Sequence, residues 1–301
     1  MIKLACATIS FDGFGDNNFV KTFELAPQIG FEYIEFNCWY PSTLTPEKMR
    51  DLNERMKVTG LQAAAIHVGS FGGNNNWEIT KDVCHKHRAM QCAVELGCRR
   101  LSATGSGRGE DGGLEAIITS LKELAPIAEE LDVLICLENH ANNNLEFIDD
   151  YRRILDAIPS SHVGINIDTG HFDASNVDMM KLIEEMGDRV NHIHIKENKG
   201  YGKKEFTRFG EGVTDNDAVI NAMVARGYEG FITIELSPEI GEHDGRPFTI
   251  EDIRKPFTMF SKYDDTRVKR SLFHACMKNN DFGTRKSHAR EQEHSDCGFP
   301  R

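Results

Sequence analysis

Short runs of β-branched and apolar residues alternate along the chain with longer stretches whose apolar positions recur at helical spacing. The first kind predicts strands over IKLACATI (2–9), YIEFN (33–37), LQAAAIHV (61–68) and RRLSAT (99–104). It continues with VLICLE (133–138), VGINID (163–168), VNHIHIK (190–196) and FITIEL (231–236). The second kind predicts helices over 17–29, 46–58, 80–96, 113–131, 144–157, 177–186 and 215–226. Thr45-Pro46-Glu47 reads as an N-cap followed by proline at the first helical position. Gly60 and Gly97 each follow a helical stretch, where a left-handed capping residue is expected.

The strand-to-strand repeat is roughly 30 residues, the size of one strand–helix–strand unit. Eight such units predict an α/β fold closed as a parallel (β/α)₈ TIM barrel, with residues 1–263 as a single catalytic domain. The segment 249–263 supplies a last outer helix, which Pro256 is expected to kink or split. Residues 264–301 are polar, with clustered charges and no sustained period. They read as a C-terminal extension, loosely ordered and apart from the chemistry, its His274, His288 and His294 included. An open nucleotide-binding sheet would want a glycine-rich turn after the first strand. FDGFGDNN (11–18) lacks the third glycine, and its acidic residues would repel a pyrophosphate.

Charge and cysteine usage narrow the classes further. A formal net charge of -12 opposes attraction to phosphate backbones, so small-molecule chemistry is expected and no nucleic-acid partner. No run of 18 apolar residues reads as a membrane span, and MIKLACATIS has neither the basic nor the long apolar region of a secretory signal. The eight cysteines form no CxxC pair and several sit inside apolar runs, which reads as reduced core cysteine in a cytoplasmic protein.

In a (β/α)₈ barrel, side chains at the C-terminal ends of the strands converge on the mouth. Four successive predicted strands end in or near a metal-binding residue: Glu138, Asp168, His194 and Glu235, each one helical crossover from the next. Three carboxylates and an imidazole pointed into a closed ring repel one another unless a cation sits among them. An oxygen-rich set with a single imidazole suits one divalent ion, Mn²⁺ first, with Mg²⁺, Co²⁺ and Zn²⁺ as alternatives.

Neighbouring residues are candidates for substrate contacts or for structure. His171 follows Asp168 at the mouth, and His192 and His194 face the same side of strand seven, with His194 nearer its end. Lys196 continues that face, as a substrate contact or a solvated strand end. His67 ends strand three, as a pocket residue or a satisfied core histidine, and Glu35 on strand two faces the same choice. His140 either orients a carboxylate or lines its loop. Phe11, Trp39, Phe71 and Trp77 are candidates for an apolar wall behind a sugar, or for hydrophobic lids. The Asn74-Asn75-Asn76 run either binds hydroxyls or solvates a loop.

Taken together, LENH (137–140), DTGHF (168–172), HIHIK (192–196), FGEG (209–212) and the strand ending at Glu235 resemble the xylose-isomerase-like barrel superfamily. The segment 208–235 resembles its seventh-to-eighth unit, and the likeness covers roughly residues 2–262. That grouping includes sugar isomerases and epimerases, inosose and dehydroshikimate dehydratases, and abasic-site nucleases. The resemblance implies that Glu138, Asp168, His194 and Glu235 match the single-metal ligand set of ketose 3-epimerases, and that His171 matches their substrate-oxygen contact. In those enzymes the two glutamates flank the reacting carbon; one abstracts a proton and the other returns it. This chain departs from them in carrying Asn144 six residues after the strand-five ligand, where they have a second glutamate. It also has Gly200 where they have an arginine.

The expected function is therefore isomerisation or epimerisation of a sugar or sugar-like polyol. Proton transfer would pass through a metal-stabilised enediolate, with Glu138 and Glu235 as the acid/base pair and His171, Lys196, His67 and Trp39 on the substrate. The alternative is a lyase on the same scaffold, a dehydratase or an eliminase of an oxidised glycoside, which shares the proton abstraction and differs in the next step. An abasic-site nuclease fits poorly: strand four ends in SATGSGRG without a histidine, and FGEG stands where an Asp-x-His pair would be needed. A non-catalytic binding protein is disfavoured because all four candidate ligands are present. Barrels of this type often pair, so a homo-oligomer is among the expected states.

Overall fold

The eight expected strands are all present and hydrogen-bonded in sequence order into a closed parallel barrel, β8 pairing back onto β1. The computed structural model describes residues 1–13, 17–238, 240 and 245–266. The strands are β1 Ile2–Ala7, β2 Tyr33–Asn37, β3 Gln62–Phe71, β4 Arg100–Gly105, β5 Leu134–Glu138, β6 Val163–Asp168, β7 Val190–Ile195 and β8 Gly230–Ile234. They are buried over most of their length, as strands covered by helices must be, which is why they read as near-continuous apolar runs.

The outer helices follow the expected segments: α2 Val20–Ile29, α3 Pro46–Thr59, α4 Asn76–Glu95, α5 Gly113–Leu131, α6 Ile148–Ala157, α8 Met179–Met186 and α9 Asn216–Ala225. Their ends have local causes. The Thr45 hydroxyl accepts from the Lys48 amide at the start of α3, and Gly60 closes that helix at φ 78°. Asn75 accepts from the Trp77 and Glu78 amides, so part of the Asn74–Asn76 run is a helix cap. Asp178 and Asp215 cap α8 and α9 in the same way. One large core fills the space between barrel and helices, and Ala5, Tyr33, Ala64 and Phe231 form a small separate cluster.

Three features depart from expectation. Two short helices follow strand ends, α1 (Ile9–Asp12) and α7 (Thr169–Ala174), and neither is long enough to show a period in the sequence. The last described helix, α10 (Ile250–Phe260), is continuous through Pro256. Proline deletes one amide donor, but Ile253, Phe257 and Phe260 are buried on the face that holds the helix to the barrel. Cys6, Cys38, Cys92, Cys98 and Cys136 are buried free thiols as expected, whereas Cys84 is exposed. The expectations for 264–301, including the three histidines there, lie outside the described residues apart from 264–266. No described helix is long and apolar enough to cross a membrane.

Candidate metal centre and its cavity

The four strand-end residues meet. One donor atom from each of Glu138, Asp168, His194 and Glu235 lies within 4.8 Å of all the others, and all four residues are buried. Their approach follows from register. Asp168 and His194 are direct partners across the β6–β7 ladder, Glu138 pairs with Asn166 one strand earlier, and Glu235 follows the end of β8. His194 Nδ1 lies 2.8 Å from Glu138 Oε1 and 3.1 Å from Glu235 Oε2.

Each donor is held by neighbours. Asp168 caps α7, its Oδ1 accepting from the His171 amide at 2.9 Å. Its backbone is clasped by Asn139, whose side chain accepts from the Asp168 amide at 2.7 Å and donates to its carbonyl at 2.9 Å. Asn139, within LENH, went unnoticed in the sequence; its place after a ligand was the only signal. Glu138 Oε2 takes a 2.6 Å hydrogen bond from His67 Nε2. Trp39 donates its indole N–H to His67 Nδ1 at 2.9 Å, and an indole can only donate. His67 therefore carries its proton on Nε2, directed at Glu138.

Lys196 is not solvated. It is 2% exposed, with Nζ 2.6 Å from Glu235 Oε1 and 3.0 Å from Asp168 Oδ2, over the ring of Phe206. Its backbone is pinned by Thr169 and Asn216. Gly170 leaves room for its stem, since a Cβ there would lie 2.8 Å from Lys196 Cγ. His192, two residues before His194 on β7, is fully buried against Glu35 across the barrel.

Electrostatics follow from this enclosure. Burial resists the charge on Glu138, yet His194 and His67 hold its carboxyl well below the usual range. Glu235 is likewise opposed by burial but drawn down to about 2 by Lys196 and His194. Burial raises Asp168 to about 6 although Lys196 pulls the other way. His171 and His140 stack at 3.6 Å; burial above all, with Lys196 adding to it, holds His171 well below its ordinary value, and burial holds His140 at about 4 although Glu138 pulls it up.

Above the centre opens a cavity of about 310 Å³. Glu138, Glu235, Lys196, His67, His140, His171, Trp39 and Phe206 are among its walls. The expected apolar wall is only partly there. Trp39 lines the cavity, but Phe11 and Phe71 are buried in the core, and Trp77 lies 70% exposed at the start of α4. The aromatic signal in those loops was packing and helix punctuation for three residues of four.

A family model for xylose isomerase-like TIM barrels matches residues 23–254. The chain belongs to that family. Within reach of it is the inosose dehydratase of Serratia proteamaculans, 25% identical over 277 residues, covering 79% of this chain and 91% of the relative. Among solved structures, a 3-keto-D-glucoside 4-epimerase from E. coli superposes with a TM-score of 0.68 at 17% identity, covering 87% of this chain and 98% of that one. An IOLI protein with a bound zinc atom superposes with a TM-score of 0.70 at 22% identity, covering 87% and 99%. At these identities the structural likeness shows the fold alone, whereas the family assignment rests on most of the chain.

The donor set fits a single divalent ion. Asp168 Oδ2 is fully buried and, apart from its ion pair with the Lys196 ammonium at 3.0 Å, has no hydrogen-bond partner among the described residues. Three carboxylates, one imidazole and one ammonium in a buried centre leave room for one more positive group.

Proposed function

We propose that this chain is a divalent-metal-dependent lyase that removes water from a keto-polyol of the inosose kind. The observation that carries the reading is Lys196, a buried ammonium bridging Asp168 and Glu235 on the cavity wall. Curated relatives named as inosose dehydratases support it. Glu138, Asp168, His194 and Glu235 would hold the ion, Mn²⁺ first by the oxygen-rich donor set. When bound, it polarises a substrate carbonyl and makes the neighbouring C–H more acidic.

The chain's residues then divide the work. Glu235, charged and at the cavity edge, removes the proton beside the carbonyl. Lys196 donates a proton to the departing hydroxyl, so a C–H and a C–O bond break, a C=C bond forms and water leaves. Burial opposes the charge on Lys196, but Asp168 and Glu235 hold its proton on until substrate arrives. The 2.6 Å contact between them lets Glu235 return the abstracted proton to Lys196 and reset the pair. His67 keeps Glu138 oriented, and neutral His171 and His140 offer hydrogen bonds to polyol oxygens without adding charge. Trp39 and Phe206 give the sugar carbons an apolar wall.

The epimerase reading keeps one specific support, that Glu138 and Glu235 both reach the centre. Mass analysis separates the two. Metal-loaded protein is incubated with keto-inositols, keto-sugars and 3-keto-glycosides in deuterated water. A product lighter by one water, from substrate that takes up deuterium, is the expected result. A product of unchanged mass carrying deuterium establishes epimerisation instead. Turnover to a product of unchanged mass without any deuterium uptake removes both.

A further inference from the structure

His194 is shared by two clusters of acidic and imidazole groups. One is the donor set just described, on the Nδ1 side. The other is Glu35 with His192, on the Nε2 side, and it too brings three potential ligands within 4.8 Å. We propose that Glu35 is a positioning residue that fixes which nitrogen of His194 faces the metal and thereby sets the centre's metal affinity. This role rests on the metal reading above and deepens it.

The geometry is that of a carboxylate saturated by donors. Glu35 Oε1 and Oε2 lie 2.9 and 3.0 Å from His194 Nε2, and Oε2 lies 2.6 Å from His192 Nε2 and 3.1 Å from the Thr233 hydroxyl. Glu35 sits on β2 and the two histidines on β7, strands that are not neighbours, so the contact crosses the barrel interior. Glu35, His192, His194 and Thr233 are all 0% exposed, so no bulk water can replace a lost partner.

An ionised carboxylate only accepts, so both imidazoles present Nε2–H to it. The buried Nδ1 of His192 has no hydrogen-bond partner among the described residues, which agrees with a proton placed on Nε2 toward Glu35. For His194 the consequence is that Nδ1, between Glu138 and Glu235, is the nitrogen whose proton an entering ion would displace, leaving its lone pair to the ion. The opposite tautomer would aim an N–H at the ion and a lone pair at Glu35, unfavourable at both ends. A carboxylate behind a ligating imidazole also makes its lone pair a stronger donor. The alternative use of the cluster is a second metal site, but that would take the Nε2 protons that now satisfy Glu35.

The test is Zn²⁺ titration of the full chain against a competing chromophoric chelator, wild type beside Glu35→Gln. The amide cannot accept from both rings with both of its ends, and the expected result is one equivalent bound about 10- to 100-fold more weakly. Because Glu35→Gln risks misfolding in the barrel core, a second measurement uses the wild type alone. ¹⁵N-histidine spectra of the Zn²⁺-loaded protein should show His194 protonated at Nε2 and coordinated through Nδ1. Affinity within twofold of wild type, coordination through Nε2, or a second Zn²⁺ equivalent lost in Glu35→Gln each overturns the proposal. A wild-type chain that takes up no Zn²⁺, Mn²⁺ or Co²⁺ fails earlier, at the metal reading itself.

Discussion

Glu35 and Lys196 touch the same donor centre from opposite sides. Glu35, on the core side, is sealed among two histidines and a threonine and reaches the centre only through His194. Lys196, on the mouth side, contacts two of the donors directly and also lines the cavity. Both are buried and charged, and both look alike in the sequence, as polar residues within strand-like runs. On the two proposals above, the barrel separates two tasks at one site: groups below the donors set how tightly an ion is held, and groups above them set what happens to the substrate.

The comparison breaks most easily at Lys196. Lys196→Met keeps the stem that packs against Gly170 and removes the proton donor, so dehydration should fall about a hundredfold. Metal uptake should persist at one equivalent, as measured by metal analysis beside a rate assay. A parallel collapse of metal binding would place Lys196 with Glu35 and erase the distinction.

Acidity tests the donors themselves. Burial raises Asp168 to about 6, Lys196 opposing it, so its proton competes with a cation as pH falls. Burial resists charge on His194, but Glu35 and Glu138 outweigh it and keep the metal-free ring protonated well above the ordinary range. Protons must therefore leave as the ion enters. Affinity should drop at least about tenfold from pH 7 to pH 5, readable by chelator competition at each pH. Flat affinity over that interval would mean that neither Asp168 nor His194 gives up a proton to the ion.

The smallest effect sharpens the mouth side alone. Gly170→Ala puts a Cβ against the Lys196 stem, and turnover should fall a few-fold with metal affinity unchanged. Loss of metal without loss of turnover per bound ion would show that Gly170 serves the α7 cap at Asp168 instead.

Much of this was legible from the chain. Eight apolar runs at one spacing implied the closed barrel, and Glu138, Asp168, His194 and Glu235 stood out because each ends such a run. What stayed hidden depends on contacts between strands far apart in sequence. Glu35 and His192 meet across the barrel, so each alone reads equally well as a satisfied polar residue. His67 acts through Glu138 and is itself oriented by Trp39, a chain of hydrogen bonds that no local pattern marks. Lys196 was as readable as a solvated strand end, because its burial is made by Phe206 and by the space at Gly170. The aromatic loop residues misled for the converse reason: apolar side chains in loops after strands fold back into the core as readily as they face a cavity.

The central claim is that four side chains from consecutive strand ends hold one divalent ion. Elemental analysis of the purified chain after loading and desalting, wild type beside Asp168→Asn, measures it directly. The account predicts one equivalent in the wild type and a loss to well under a tenth in Asp168→Asn. A wild type without metal, or Asp168→Asn retaining a full equivalent, would contradict it.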